Sequence, residues 1–311
     1  MKPKLLLALP LGKVVEDKLG ERFDVSYDMT PRAGVEAIVT IGAFNTDGEM
    51  MDGFPDLKII SCFGSGYESI DLAAARARGI KVTNTVGANA STVADLAVAL
   101  LLASMRHVVY GDQLLRKNDW RGENPARMLF SPAVTGRRIG IIGLGAIGRK
   151  IGERMAAFET EIGYFNRSRK SDVDWPFFNS ALELAKWADV LMLAHRADET
   201  NRHMINAEVL DALGPDGHIV NISRGSAIDE DALIAALNDR RIAGAALDVF
   251  EDEPNVRPEL IASPYTVLTP HIGGGTREAY VAMSDTVVAN VCALFDGKPL
   301  PNEVHQEGFQ H

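Results

Sequence analysis

The feature that most constrains the fold is a glycine pattern between the apolar run Arg138–Ile142 and a helix-like stretch. The motif reads Gly143-Leu144-Gly145-Ala146-Ile147-Gly148, with the spacing Gly-x-Gly-x-x-Gly. The first glycine allows a tight turn, the second lets the backbone approach a pyrophosphate, and the third lets a helix pack against its strand. The helix N-terminus then offers free N–H groups to phosphates. The pattern predicts a dinucleotide-binding βαβ unit; the alternative is a glycine-rich turn without a ligand.

The residues after the next apolar strand indicate which dinucleotide binds. NAD sites usually carry an acidic residue there, which accepts hydrogen bonds from the ribose hydroxyls. In this chain the strand ends in Asn166-Arg167-Ser168-Arg169-Lys170, without a carboxylate. An arginine fork and a hydroxyl suit a 2′-phosphate. We therefore predict NADPH or NADP as the preferred cofactor, held by Asn166, Arg167 and Ser168, with NAD also possible; a solvated basic turn is the other interpretation.

Short apolar runs separated by helix-like stretches recur along the chain. Such strands are typical of parallel sheets that are covered on both faces. The first series comprises Lys4–Leu9, Phe23–Tyr27, Ala37–Thr40, Lys58–Cys62 and Ile80–Thr83. A helix is predicted from Ser91 to Leu115 because this stretch is rich in alanine and leucine. The second series comprises six strands: Arg138–Ile142, Glu161–Phe165, Val190–Leu193, His218–Ile222, Ala245–Val249 and Thr266–Leu268.

The length of 311 residues favours two domains, because single hydrophobic cores stop growing near ~250–300 residues. A final predicted helix, about Arg277–Phe295, is long enough to return to the first domain. We expect an α/β fold with two doubly wound parallel-sheet domains. A Rossmann dinucleotide-binding domain, residues 98–283, would be inserted into a flavodoxin-like substrate domain formed by residues 1–97 and 284–311.

The net charge excludes some partners. A formal charge of −10 argues against nucleic-acid and anionic-membrane surfaces, which need a basic face. The longest apolar run, Leu96–Met105, is shorter than the ~18 residues that span a membrane. The two cysteines, Cys62 and Cys292, give no metal-ligand spacing and fit a reducing compartment. We expect a cytoplasmic protein with no metal, nucleic-acid or membrane partner.

Three segments of the second half each place a polar residue past the carboxyl end of a predicted strand. Arg224 follows the predicted strand His218–Ile222, Glu253 follows Ala245–Val249, and His271 follows Thr266–Leu268. Ligands of open parallel sheets bind at this edge. Each residue is ambiguous by itself, since a lone arginine or glutamate is usually solvated and a lone histidine is often structural.

Together with the glycine motif of residues 143–148 (the phosphate loop), these segments resemble the D-isomer-specific 2-hydroxyacid dehydrogenase family. The resemblance covers nearly the whole chain, from Phe63-Gly64-Ser65-Gly66-Tyr67 to Asn302. It is strongest to the NADPH-dependent glyoxylate/hydroxypyruvate reductases and the hydroxyphenylpyruvate reductases. It implies reduction of a small 2-oxo acid to the D-2-hydroxy acid. A bulkier substrate such as phenylpyruvate or 2-ketogluconate, and a non-catalytic dinucleotide-sensing protein, are the alternatives.

The resemblance also implies roles for individual residues. By this resemblance, His271 would be the general acid that protonates the 2-oxo group as hydride arrives. Glu253 would be the partner that holds the imidazole in its charged form. Arg224 would bind the substrate carboxylate and polarise the oxo oxygen. The N–H groups of Ser65 and Gly66 would hold the other side of that carboxylate. Further cofactor contacts are expected at Ala194, Ile222, Asp248 and Gly273.

Two features leave alternatives open. Many similar proteins carry small residues and proline where this chain has Ala194-His195-Arg196. His195 and Arg196 could add positive charge near the substrate or point to solvent. The second feature is Trp120 with the loop 127–130, a segment that packs across a dimer in similar proteins. It predicts a homodimer through the nucleotide-binding domain, in which the partner's loop could cap the site.

Overall fold

The computed structural model describes residues 2–120 and 131–304. In chain order, the strands in these ranges are β1 (Lys4–Leu7), β2 (Asp24–Ser26), β3 (Val35–Thr40), β4 (Ile59–Cys62), β5 (Lys81–Thr83), β6 (Arg138–Ile142), β7 (Glu161–Phe165), β8 (Phe177–Phe178), β9 (Val190–Leu193), β10 (His218–Asn221), β11 (Gly244–Leu247) and β12 (Thr266–Leu268). The α-helices are α1 (Lys13–Gly20), α2 (Gly48–Asp52), α3 (Leu72–Ala77), α4 (Ala90–Met105), α5 (Val108–Arg116), α6 (Ala146–Ala156), α7 (Ala181–Trp187), α8 (Ala207–Leu213), α9 (Glu230–Asn238), α10 (Pro258–Ala262) and α11 (Arg277–Phe295).

The chain divides into two compact units. The first consists of residues 1–89 and 274–311, and the second of residues 90–273. The predicted boundaries, 97/98 and 283/284, differ from these because they fall inside α4 and α11. Each helix packs as a whole within one unit: the first division lies at the start of α4, and the second lies just before α11, which begins at Arg277.

Both units contain a fully parallel sheet. In the first unit the described strands run in the order 2-1-3-4-5, which is the flavodoxin-like order. In the second unit the order is 12-11-10-9-6-7-8. The strand order reverses between β6 and β9, and such a switch point opens a ligand crevice at the carboxyl ends of the strands. The predicted fold class is confirmed.

The apolar strands of the second unit are buried on both faces. In β9, Leu191 and Leu193 pack into one core cluster, and Val190 and Met192 into another on the opposite face. This two-sided burial explains the continuous apolar runs in the sequence. The prediction of six strands was wrong by one, because the two-residue strand β8 extends the sheet edge beside β7.

The single helix predicted from Ser91 to Leu115 is two helices. Between α4 and α5, His107 adopts a left-handed conformation with φ 51°. This interrupts the helical hydrogen-bond pattern, and the two axes differ by 64°.

The helix α11 is, among the described residues, the one single helix long and apolar enough to span a membrane. It packs against α1 and β4, where Val287 and Val291 are fully buried. Its buried Asn290 donates to the carbonyl of Asn84 at 3.0 Å and accepts from the N–H of Asn302 at 3.1 Å. These contacts are those of a core helix in the first unit.

Candidate active site

The carboxyl edge of the seven-stranded sheet gathers most of the predicted site residues. All the strands are parallel, so the segments that follow them emerge at one edge of the second unit. After β6 comes the phosphate loop, and Ala194 follows β9 with its N–H donating to the Ile142 carbonyl at 2.8 Å. The remaining predicted residues at this edge are Ile222, Arg224, Asp248, Glu253, His271 and Gly273.

The phosphate loop has the shape that a pyrophosphate needs. Gly143 has φ 95°, and an added Cβ would lie 2.4 Å from the Cα of His195. A Cβ on Gly148 would lie 2.1 Å from the Gly143 carbonyl oxygen, so α6 packs closely on the turn. Beside Gly145, by contrast, no heavy atom of the described residues other than its chain neighbours lies within 4 Å of an added Cβ. That open space, at the start of α6, fits a pyrophosphate.

The turn after β7 is held in place by a buried hydroxyl. Tyr164 is fully buried, and its hydroxyl accepts from the Lys170 N–H at 2.9 Å. The Asn166 side chain donates to the Ser168 carbonyl at 3.1 Å. Arg167 and Ser168 are exposed between these two anchors. The turn therefore presents a guanidinium and a hydroxyl on a fixed backbone.

His271 and Glu253 form a hydrogen-bonded pair. The Nδ1 atom of His271 lies 2.7 Å from Oε2 of Glu253, and Oε1 of Glu253 accepts from the Phe250 N–H at 3.0 Å. Both carboxylate oxygens are therefore engaged. In the described part of the chain, Nε2 of His271 makes no hydrogen bond. Glu253 can therefore hold the imidazole at Nδ1 while Nε2 remains available to a substrate.

Hydrogen bonding sets the charge of this pair. The bond to Glu253 raises the pKa of His271, while burial and the charge of Arg224 act in the opposite direction. Burial alone would raise the pKa of Glu253, but the bonds from His271 and from the Phe250 N–H, together with the charges of His271 and Arg224, lower it. The pair therefore favours an imidazolium beside a carboxylate. The positive charge of Arg224 acts on both groups, which places the three residues within electrostatic range of one another.

Asp248 fixes the turn that carries His271. It is 1% exposed, and one carboxylate oxygen accepts from the Thr269 hydroxyl at 2.6 Å and the Ile272 N–H at 2.9 Å. The other oxygen accepts from the Gly273 N–H at 2.8 Å. The bonds stabilise a left-handed conformation at His271, with φ 52°. The structure thus gives Asp248 a positioning function; its contact with a cofactor stays a prediction.

Residues 222–225, which carry Arg224 (the Arg224 loop), approach residues 248–254, which carry Glu253 (the Glu253 segment), so closely that their backbones are in contact. A Cβ on Gly225 would lie 1.9 Å from the carbonyl carbon of Phe250. The Asn221 side chain donates to the Arg224 carbonyl at 2.9 Å and fixes the loop from the other side. Only glycine fits at this contact, which places Arg224 beside the Glu253 segment.

Sequence reasoning missed the residues that brace this segment. Glu230 is 8% exposed and accepts from the Glu251 N–H at 2.9 Å. The Glu251 carboxylate pairs with Arg202 and with His203. In the sequence, Asp229-Glu230 is typical of a helix start, and Asp229 does cap α9. No local pattern indicates that Glu230 contacts a residue so far along the chain.

His195 follows neither of the two alternatives left open by the sequence. Both of its ring nitrogens are buried and lack a hydrogen-bond partner among the described residues. Burial lowers its pKa to about 4, although the charge of Asp198 acts in the opposite direction. The ring is therefore neutral at neutral pH and supplies no positive charge, and its polar atoms do not face solvent.

The predicted substrate loop lies in the first unit. Ser65 donates its hydroxyl to Asn89 at 3.0 Å, and its carbonyl accepts from the Asn84 side chain at 2.8 Å. Gly64, with φ 141°, donates its N–H to the Thr85 hydroxyl at 3.0 Å. Within the described residues, the N–H groups of Ser65 and Gly66 donate to no protein acceptor. Both can therefore bind an anion. The loop 127–130 lies outside the described residues.

Comparison with known proteins gives a consistent result. Residues 98–273 match the family described as "D-isomer specific 2-hydroxyacid dehydrogenase, NAD binding domain". The chain is 39% identical to hydroxyphenylpyruvate reductase of Plectranthus scutellarioides, with 95% of this chain and 97% of that protein aligned. It is 38% identical to glyoxylate/hydroxypyruvate reductase A of Arabidopsis thaliana, with the same coverage. A crystal structure of the NADPH-dependent glyoxylate/hydroxypyruvate reductase of Sinorhizobium meliloti, in complex with NADP and malonate, aligns with TM-score 0.90 and 35% identity over 98% of each chain.

Proposed function

Because this chain belongs to the D-isomer-specific 2-hydroxyacid dehydrogenase family and is a 2-oxo acid reductase, we propose that it reduces a small 2-oxo acid of the glyoxylate or hydroxypyruvate type with NADPH. The observation that carries the proposal is the His271–Glu253 pair, with Nδ1 and Oε2 2.7 Å apart and Arg224 within electrostatic range. The product would be the D-2-hydroxy acid.

The residues divide the chemistry among them. The dinucleotide, when bound, supplies the hydride. The Arg224 guanidinium binds the substrate carboxylate and polarises the oxo group, because its fork can donate to adjacent oxygens. His271 gives its Nε2 proton to the oxo oxygen as negative charge develops there. Glu253 keeps the imidazole charged and oriented through Nδ1.

Substrate size is the finer part of the proposal. The relatives include reductases named for glyoxylate/hydroxypyruvate, hydroxyphenylpyruvate and 2-ketogluconate. A bulky 2-oxo acid is therefore the second candidate. A comparison of kcat/KM for glyoxylate, hydroxypyruvate, phenylpyruvate and 2-ketogluconate separates the two candidates. We expect the highest kcat/KM with glyoxylate or hydroxypyruvate. A higher kcat/KM with phenylpyruvate or 2-ketogluconate would favour a bulky substrate instead.

We expect Glu253→Gln to move the pH profile of 2-oxo acid reduction. Glu253 raises the pKa of His271, and the protonated imidazole is the acid. The rate of reduction therefore falls as pH rises through that pKa, and losing the carboxylate moves the fall to lower pH. Kinetics from pH 5 to 9 measure the shift. Glu259→Gln, an exposed carboxylate beside Arg257, is the control. Identical profiles for Glu253→Gln and the wild type would contradict the assignment.

The preference for NADPH rests on the turn after β7. Arg167 and Ser168 are exposed there, and the segment 166–170 has no carboxylate to repel a 2′-phosphate. We expect NADPH to bind at least about tenfold more tightly than NADH, and Arg167→Ala to weaken NADPH alone by about tenfold or more. Fluorescence titration measures both affinities. The surface variant Lys186→Ala should change neither, and equal wild-type affinities for the two cofactors would refute the preference.

We also propose a homodimer through the second unit. A cavity of about 490 Å³ lies in this unit beside α5, α10 and β12. Large apolar side chains at its rim are exposed by 38–63%, namely Val109, Tyr110, Ile261 and Tyr265. Apolar groups of this kind favour burial against another protein surface. Light scattering is expected to give the mass of two chains.

A further inference from the structure

The residue His195 lies at the switch point of the nucleotide-binding sheet. Strands β6 and β9 pair in parallel, with Ile142 opposite Leu193, and the chain leaves them through the phosphate loop and through residues 194–196. An added Cβ on Gly143 would lie 2.4 Å from the Cα and 2.5 Å from the N atom of His195. The backbone of His195 therefore packs directly against the phosphate loop. This is the crevice where ligands of such sheets bind.

The His195 ring makes no hydrogen bond within the described part of the chain. Both Nδ1 and Nε2 are shielded from solvent, and neither has a hydrogen-bond partner there. Leaving two polar atoms buried and unpaired lowers the stability of the fold, so an apolar side chain of similar size would serve packing better. Unpaired buried groups in a binding crevice are expected to be satisfied by the ligand.

We propose that His195 is a cofactor-binding residue whose imidazole hydrogen-bonds the dinucleotide beside the phosphate loop. Since burial lowers the pKa of His195 to about 4, the ring is neutral and offers one donor and one acceptor. That combination suits a group that both donates and accepts, such as a ribose hydroxyl or a carboxamide. His195 differs in this respect from Arg224 and Arg167, which act through positive charge.

The contact is common to NADPH and NADH. His195 follows β9, whereas the 2′-phosphate is expected at the turn after β7, which contains Arg167. Loss of the ring should therefore weaken the binding of both cofactors equally, whereas loss of the Arg167 side chain should weaken only the binding of NADPH. The inference rests on the proposed use of a nicotinamide dinucleotide but not on the preference between the two forms.

Binding and melting measurements on the full chain test the proposal. His195→Phe keeps the volume and removes both polar atoms, His195→Leu repeats the test with a smaller side chain, and His195→Gln retains a donor and an acceptor. We expect His195→Phe and His195→Leu to raise the Kd of NADPH and of NADH about tenfold or more, and His195→Gln to stay within about threefold of the wild type. The cofactor-free Tm of His195→Phe should rise by about 2 °C, while the increase in Tm on adding NADPH should shrink.

The outcomes separate the two proposals. His195→Phe and His195→Leu with wild-type Kd values for both cofactors would overturn the role of His195, whatever their Tm. A wild type that binds NADPH and NADH equally, with both affinities lost in His195→Phe, would support His195 and refute the NADPH preference. A wild type that binds neither cofactor would refute both. Lys186→Ala serves again as the folded control.

Discussion

Replacing His271 with alanine is expected to abolish turnover while leaving dinucleotide binding intact. The imidazole is the proposed proton donor, and a general acid typically contributes about 10²- to 10⁴-fold to a rate. The phosphate loop and the turn after β7 are separate from the segment that carries His271, so they should still bind the cofactor. Stopped-flow or steady-state absorbance gives kcat, and fluorescence titration gives the Kd of NADPH.

His203→Ala is the matched control for this variant. His203 also pairs with a carboxylate in the second unit, with Nε2 3.0 Å from Oε1 of Glu251. It lies outside the proposed proton path, and without its ring Glu251 keeps the ion pair with Arg202 and the N–H bond to Glu230, so we expect activity within about threefold of the wild type. His271→Ala with activity in the same range as His203→Ala would show that another group donates the proton.

The second large effect is expected from Gly225→Ala. The new methyl group would lie 1.9 Å from the Phe250 carbonyl carbon and 2.1 Å from the Glu251 nitrogen, both backbone atoms. The Arg224 loop and the Glu253 segment would have to move apart. We expect the free energy of unfolding to fall by about 1–3 kcal/mol. A displacement of Arg224 by about 1 Å should lower kcat/KM by about 10²-fold.

Gly20→Ala separates this effect from glycine substitution in general. At Gly20, which ends helix α1, an added Cβ would have no described atom within 4 Å apart from its chain neighbours and the backbone of α1 itself. Its Tm and kcat/KM should stay near those of the wild type. Wild-type kcat/KM in Gly225→Ala, measured beside Gly20→Ala, would show that the close approach does not position Arg224.

Short-range patterns were enough to predict the framework of the fold and the residues at the sheet edge. The apolar runs give the strands because both faces of each parallel sheet are buried, as at Val190–Leu193. The residues that follow strands share one edge because the strands are parallel, and this places Arg224, Glu253 and His271 in one unit.

What the sequence could not predict depends on contacts between distant segments. The break at His107 is a single left-handed residue inside an otherwise helical composition. The bond between Glu230 and the Glu251 N–H joins α9 to the segment after β11, and no local periodicity encodes it. The neutral state of His195 follows from its burial, which only the fold determines.

The fate of a labelled hydride tests the proposed reaction most directly. Hydroxypyruvate is incubated with NADPH in which both hydrogens on the reactive carbon of the nicotinamide are replaced by deuterium, and the glycerate formed is analysed by mass spectrometry and chiral chromatography. We expect the wild type to form D-glycerate with one deuterium at C2, and His271→Ala to form none. Failure of the wild type to oxidise NADPH or NADH with any of the four 2-oxo acids, or formation of L-glycerate, would contradict the proposed reaction.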